Sequence, residues 1–231
     1  MNINNELVIQ VGSNEDKVFQ DPWQQTDYFP SSVYVVKKPE FVAIAEAVSD
    51  EYILKAKKKD EIDEIYPVVM TENMFADPRM KGLAEYIGAT AWNILESQGY
   101  DMEGVSVYFT EMWCQEHHKH SLMEQHIHGF GSQLVGFYFL DCPPDSSRLV
   151  FHDPRSGKVQ VGMRESNLNQ VTFASNAVNY APEPGMLIFA NSWLPHSFGR
   201  HASKKPLKFI HFNILISEKS VHAPKQSAEI I

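Results

Sequence analysis

Hydrophobic positions recur along this chain at two different periods, and the change between them falls near Val105. Residues 1–31 show little periodicity. Gly12-Ser13-Asn14, Pro22 and Pro30-Ser31-Ser32 break the segment, which predicts an irregular lead-in with one short strand at residues 7–11. Residues 32–36 alternate and are β-branched, which predicts a strand. Pro39 then opens a helical pattern carried by Phe41, Ile44, Ala45, Val48, Tyr52 and Ala56. After a short apolar run at Val68-Val69-Met70, Asp77-Pro78 supplies a cap and a proline at the first helical position. A second helix follows, with Met80, Leu83, Ile87, Ala91, Ile94 and Leu95 on its core face and Gly99 as its terminator.

From Val105 the pattern becomes a series of short β runs, at residues 105–112, 133–140, 149–152, 158–161, 170–173, 186–190 and 207–216. Corners are marked by Cys142-Pro143-Pro144, Pro154-Arg155-Ser156-Gly157 and Pro182-Glu183-Pro184-Gly185. Many short strands behind two helices predict an α+β chain. Its core would be an eight-stranded jelly roll of the cupin kind, with the helices on the outside of the major sheet. One domain over residues 1–231 is expected: lead-in 1–31, helical support 32–104, barrel 105–217 and tail 218–231.

Composition narrows the function. At 43% hydrophobic residues, and with no apolar run near the ~20 residues of a membrane span, no membrane partner is expected. The start, Met1-Asn2-Ile3-Asn4-Asn5-Glu6, has neither a basic nor an apolar leader region, which makes the cytoplasm the expected location. Two cysteines, Cys114 and Cys142, lack Cys-x-x-Cys spacing and argue against a disulfide framework or a thiolate zinc site. Twenty basic against 29 acidic residues give a net charge of −9, which would repel a phosphate backbone, so non-specific nucleic-acid binding is not expected.

All ten histidines fall between positions 117 and 222, in the β-rich part. His126 and His128 are two apart, so an extended chain aims both imidazoles to one side. His196, in Trp193-Leu194-Pro195-His196, ends a distant apolar run and would be the third donor. Imidazole suits iron, zinc, copper and nickel. Glu116-His117-His118-Lys119-His120 reads as a solvated polar loop. Asp153, before Pro154, is either a turn-forming residue or a metal ligand.

Four segments in order carry a resemblance: residues 126–140 (His126-Ile127-His128-Gly129 onward), Phe151-His152-Asp153-Pro154-Arg155, residues 184–196 ending in Leu194-Pro195-His196, and Phe209-Ile210-His211-Phe212-Asn213. Together they resemble the iron(II)/2-oxoglutarate oxygenases related to prolyl hydroxylases, particularly those encoded by tailed phages of cyanobacteria. The resemblance covers residues 105–217 and, more loosely, the helices before them. It implies a double-stranded β-helix with Fe(II), 2-oxoglutarate as cosubstrate and O2, in the cytoplasm of the host if the chain is phage-encoded. The implied reaction is oxidative decarboxylation to succinate and CO2, coupled to hydroxylation of a prolyl-like peptidyl or small-molecule substrate.

The family holds iron with a His-x-Asp/Glu pair and a distal His, which places His126 and His196 as ligands. The carboxylate position is His128 here. The third ligand is therefore His128, in a three-histidine variant, or Asp153 turned inward. The family's cation for the remote cosubstrate carboxylate has Lys208 as its first candidate and Arg155 as reserve, with Tyr138 and Asn213 as further cosubstrate contacts. Strand parity sets Lys208 on the face opposite His211 and Asn213. Tyr108, Trp113 and Trp193, with Phe137, are the aromatics expected to shape a substrate pocket. Two rivals stand beside this reading: a three-histidine cupin-type enzyme that does not use 2-oxoglutarate, and a non-catalytic metal-binding jelly roll. Oligomeric state is left open, a homodimer included.

Overall fold

In the computed structural model, residues 24–129, 131–218 and 228–229 are described, the last two by backbone alone. The strand expected at residues 7–11 lies outside them. The chain divides into two compact units, Met1–Pro30 and Ser31–Ile231, and the second holds every element below.

β1 (Val33–Lys37) leads into a 3-10 turn at Pro39–Phe41 and then α1 (Val42–Lys59). β2 (Val68–Met70) precedes a second 3-10 turn at Pro78–Met80 and α2 (Lys81–Ser97). The Asp77 carboxylate accepts a hydrogen bond from the Arg79 backbone N–H at 2.9 Å, so the expected cap forms on this short turn rather than on the helix itself. Gly99, at φ 91°, closes α2 by donating its N–H to the Glu96 carbonyl at 2.9 Å. All six residues expected on the core face of α2 are buried.

The β region comprises β3 (Val105–His117), β4 (Met123–His126), β5 (Leu134–Asp141), β6 (Leu149–His152), β7 (Ala177–Tyr180), β8 (Met186–Asn191), β9 (His196–Phe198), β10 (Leu207–Glu218) and β11 (Ala228–Glu229). The major sheet runs β1-β8-β5-β10-β3-β11, with β2 also on β3, and the minor sheet runs β4-β9-β6-β7. All pairings are antiparallel. Two such sheets face to face form a double-stranded β-helix.

The major sheet has apolar side chains on both faces. Val107, Phe109, Met112, Cys114, Ile210, Phe212 and Ile214 pack with α1 and α2 in one core. Val135, Phe137, Phe139, Ile188 and Phe209 face the minor sheet, with Leu149, Phe151 and Phe198, in another. Within β3 the parity changes at a bulge, where Phe109 pairs with Ile214 and Glu111 with Asn213, leaving Thr110 extra. The helix-facing set therefore switches from Val107 and Phe109 to Met112 and Cys114, and Glu111 and Trp113 turn inward. At Gly136 a Cβ would come within 2.1 Å of the Phe212 ring, so only glycine lets that ring lie flat on β5.

Several expected elements differ. Residues 158–161 overlap a short helix, α3 (Ser156–Gln160), and residues 170–173 form no strand; the strand that pairs with β6 is β7, further on. Both expected runs contain apolar residues that are exposed, Val159, Val161, Val171 and Phe173, so their alternation reflected no buried face. β4 and β9 were too short and polar to stand out. Glu116 and His117 are buried at the end of β3, not in a solvated loop: His117 packs on Phe198 and Phe209, and Glu116 pairs with Lys57 and His118. Within the expected tail, Ala228–Glu229 pair with β3 as β11.

Candidate metal centre

β4 and β9 are paired so that His126 lies directly opposite His196, and Phe151 of β6 lies opposite His196 on the other side. His128 follows β4 and is held by its backbone N–H donating to the Ser192 carbonyl at 2.9 Å. Ser192 is tied back in turn, its N–H to the Gln133 carbonyl and its hydroxyl to the Ser132 carbonyl. The two loops that carry His128 and approach His196 are thus fastened to each other, and the two-residue spacing of His126 and His128 becomes spatial convergence.

The three imidazoles meet with ring centroids 4.5 Å apart for His126 and His196, and 5.1 Å for each pair involving His128. One ring nitrogen from each lies within 4.8 Å of the others, close enough for one ion. Their Nδ1 atoms are engaged: His126 with the Glu124 carbonyl at 2.8 Å, His196 with the Leu194 carbonyl at 3.0 Å, and His128 with the Asn213 side-chain amide at 3.1 Å. The Nε2 atoms of His128 and His196 are buried and have no hydrogen-bond partner. A buried imidazole nitrogen without a partner costs free energy unless something ligates it, and a metal-bound histidine typically donates its other nitrogen to a carbonyl. These residues fit a transition-metal ion.

Burial keeps the His128 and His196 rings neutral. It pushes His196 down to about 3, opposed in part by its bond to the Leu194 carbonyl, and pushes His128 down to about 4, with a smaller contribution from His126. Neutral imidazole is the form that binds metal. Phe137 and Phe151 stand edge-on or tilted against His196 and close its inner side. His126 also lines a cavity of about 470 Å³ with Tyr66, Leu122, Met123, Glu124 and Gln125.

The other expected site residues are distributed unevenly. Asp153 is not in the histidine group: its carboxylate accepts from the backbone N–H, Nε and an Nη of Arg155, at 2.8–2.9 Å, and lies 3.4 Å from Lys158 Nζ. The Arg155 guanidinium holds it well below the usual carboxylate range. Arg155 is correspondingly committed to Asp153 and to the Phe173 ring.

Strand parity puts Lys208, as expected, and also Tyr138 on the helix side of the major sheet. Lys208 points to α1, 2.8 Å from Glu46 and 2.9 Å from Asp50, and Tyr138 donates its hydroxyl to the Lys38 carbonyl at 2.6 Å. The sheet stands between both side chains and the histidines. Trp113 does reach the site, with its ring 4.9 Å from His211. Trp193 is half-exposed and lines a separate cavity of about 380 Å³ with Tyr100, Met102 and Gln133, among others. Tyr108 is buried on β3 beyond the bulge.

Two residues at the site had no assigned role in the sequence. His211, 2% exposed, lies 4.8 Å from His128 ring to ring. Glu111 accepts a 2.5 Å hydrogen bond from the Asn213 amide. Asn213, expected at the cosubstrate, sits between Glu111 and His128. The available signal was polar residues on alternate positions of an apolar strand, His211 and Asn213, which nothing but an interior polar site accounts for.

Residues 111–213 match the model of a family described as "Putative 2OG-Fe(II) oxygenase". No curated protein matches. Among solved structures, the chain is similar to the non-heme alpha ketoglutarate dependent carbocyclase SnoK from nogalamycin biosynthesis, at a TM-score of 0.61 and 12% identity, over 87% of this chain and 92% of that one. It is similar to a Pseudomonas putida prolyl-4-hydroxylase at a TM-score of 0.54 and 9% identity, over 80% and 93% of the two chains. HygX from Streptomyces hygroscopicus, solved with nickel and 2-oxoglutarate bound, matches at a TM-score of 0.51 and 12% identity, over 80% and 83%. At these identities the structural likeness speaks for the fold, and the segment from Glu111 to Asn213, which holds all three histidines, is where the chain is similar to the 2OG-Fe(II) oxygenase family.

Proposed function

We propose that this chain is a non-haem Fe(II)- and 2-oxoglutarate-dependent dioxygenase that hydroxylates a peptidyl, prolyl-like or small-molecule substrate and releases succinate and CO2. The observation that carries the reading is the convergence of His126, His128 and His196, each with Nδ1 engaged, and two of them with a buried, unpartnered Nε2. The match of residues 111–213 to the oxygenase family model supports it.

When bound, Fe(II) would supply the oxidising chemistry with 2-oxoglutarate and O2. This chain's residues do the rest. His126 and His196 are fixed across β4 and β9, so two ligand positions are set by sheet pairing rather than by loop conformation. His128 is the third, in the place where the family carries a carboxylate. Phe137 and Phe151 keep water from the inner side of His196. The Trp113 Nε1–H, buried and without a partner, is the donor we assign to the cosubstrate's remote carboxylate.

One observation favours a second reading, a three-histidine metalloenzyme that does not use 2-oxoglutarate. Lys208 is the only buried Lys or Arg among the described residues, and it faces α1. No buried Lys or Arg among the described residues faces the three histidines. Incubating iron-loaded protein with 2-oxoglutarate and O2 and measuring succinate separates the two. Succinate formed in wild type and absent in His196→Ala supports the first reading; none formed by iron-loaded wild type overturns it.

A further inference from the structure

Beside the three-histidine group lies a second set of donors that the reading above leaves without a task. Glu111 of β3, His128 and His211 of β10 bring one ligand atom each within 4.8 Å of one another. Two imidazoles and a carboxylate are a donor set that binds Fe(II) and its neighbours in the first transition row.

The surroundings point to a cation there. His211 is 2% exposed, and its Nε2 is buried without any partner. Its ring is held by Trp113 at 4.9 Å and Phe137 at 5.3 Å, so the donor is aimed and not free to turn away. Glu111 belongs to no ion pair among the described residues, although it stands on the inner face of the sheet. Asn213 Oδ1 is a second buried polar atom with no partner, on a side chain whose amide nitrogen lies 2.5 Å from Glu111 and 3.1 Å from His128. A carboxylate, an amide and two imidazoles stand together with no Lys or Arg among them, His211 and Asn213 buried and Glu111 and His128 half-buried, and a positive charge joining them would offset the cost of their partial desolvation.

We propose that Glu111, His128 and His211 form a second position for a divalent transition-metal ion, next to the three-histidine centre and sharing His128 with it. An imidazole has two ring nitrogens. With one ion on each, His128 would serve both through its two ring nitrogens, its remaining ring proton passing to solvent and the Asn213 amide nitrogen releasing Nδ1. The amide of Asn213, turned over, would add its oxygen to the second ion. The inference needs no cosubstrate, so it stands or falls separately from the 2-oxoglutarate reading.

The test is metal counting. Full-length protein is stripped with chelator, dialysed to equilibrium against Co(II) without oxygen, and the bound metal is measured by mass spectrometry alongside the visible Co(II) spectrum. Wild type should bind two Co(II) per chain. Glu111→Gln and His211→Gln should each bind one and retain the spectrum of the three-histidine centre, and His196→Ala should also bind one, with a different spectrum. Circular dichroism on each variant confirms folding, and agreement between two variants on different strands guards against a local folding defect. One Co(II) per chain in wild type, unchanged in amount and spectrum in Glu111→Gln and His211→Gln, would overturn the proposal.

Discussion

His126 and His196 are direct cross-strand partners of β4 and β9, with ring centroids 4.5 Å apart. Pairing two ligands through a sheet rather than a loop makes their separation a property of the backbone register. A slip of one residue would turn one of them to the other face.

This register predicts that His126→Ala and His196→Ala lose the iron held by the three-histidine centre while keeping the fold. Removing one of three ligands should weaken Fe(II) binding by 10²-fold or more, a loss of about 3 kcal/mol or greater. Equilibrium dialysis against Fe(II) under nitrogen, with a melting curve for each variant, measures both effects. A variant that keeps near-wild-type affinity is not missing a ligand.

Lys208 carries a prediction opposite in kind to its expected role. Its ammonium, 11% exposed, bridges Glu46 and Asp50 on α1, whose side chains are 35% and 53% exposed. Lys208→Met should therefore lower stability by about 1–2 kcal/mol, between the exposed and the buried regimes for ion pairs, and leave the Michaelis constant for 2-oxoglutarate unchanged. Denaturant melts and succinate assays on the same preparation would show whether the effect lies in folding or in the cosubstrate.

Gly136 offers a test of the packing beneath the site. A methyl group there would meet the Phe212 ring at 2.1 Å and the Ile188 carbonyl at 2.9 Å, and the ring is itself packed between Phe109 and Phe189. Gly136→Ala should cost about 1–3 kcal/mol as overpacking, read as a shift in denaturant midpoint. Unchanged stability would mean that β5 and β10 are not paired in this register.

His117 sets a pH dependence unrelated to metal. Burial pushes it down to about 3, against about 6.5 for an unfolded histidine. The folded state therefore binds fewer protons than the unfolded one across that window. Stability contributed by keeping this ring neutral is complete above about pH 6.5 and falls as the pH drops, by up to about 1.4 kcal/mol per pH unit. His117→Gln should flatten the slope between pH 6.5 and pH 4, measured by denaturant unfolding in metal-free protein. An unaltered slope would remove His117 from the account.

The sequence showed the parts of this molecule that repeat a period and hid those that depend on partners. α2 was legible because its six core positions keep helical spacing, and β5 and β8 because they are continuous apolar runs. β4 and β9 were not, since Met123–His126 and His196–Phe198 are short and are strands only through their pairing with each other and, for β9, with β6. The same holds for the site. His126 and His128 share a local spacing, whereas Glu111 faces inward because of a bulge at Thr110 that no periodicity announces. Lys208 stands where it was expected along the chain but on the helix side of the sheet, and its partners Glu46 and Asp50 lie more than 150 positions away.

The ligand set is tested most directly by titrating stripped protein with Fe(II) and 2-oxoglutarate without oxygen, and following the visible charge-transfer band of the chelate. Wild type should develop the band, and Asp153→Ala should develop it equally, because the Asp153 carboxylate is occupied by Arg155. His126→Ala, His128→Ala and His196→Ala should lose it. His128→Asp should regain part of it, since a carboxylate is a proper Fe(II) ligand aimed from the same backbone position. A band retained in His128→Ala and lost in Asp153→Ala would contradict the three-histidine centre.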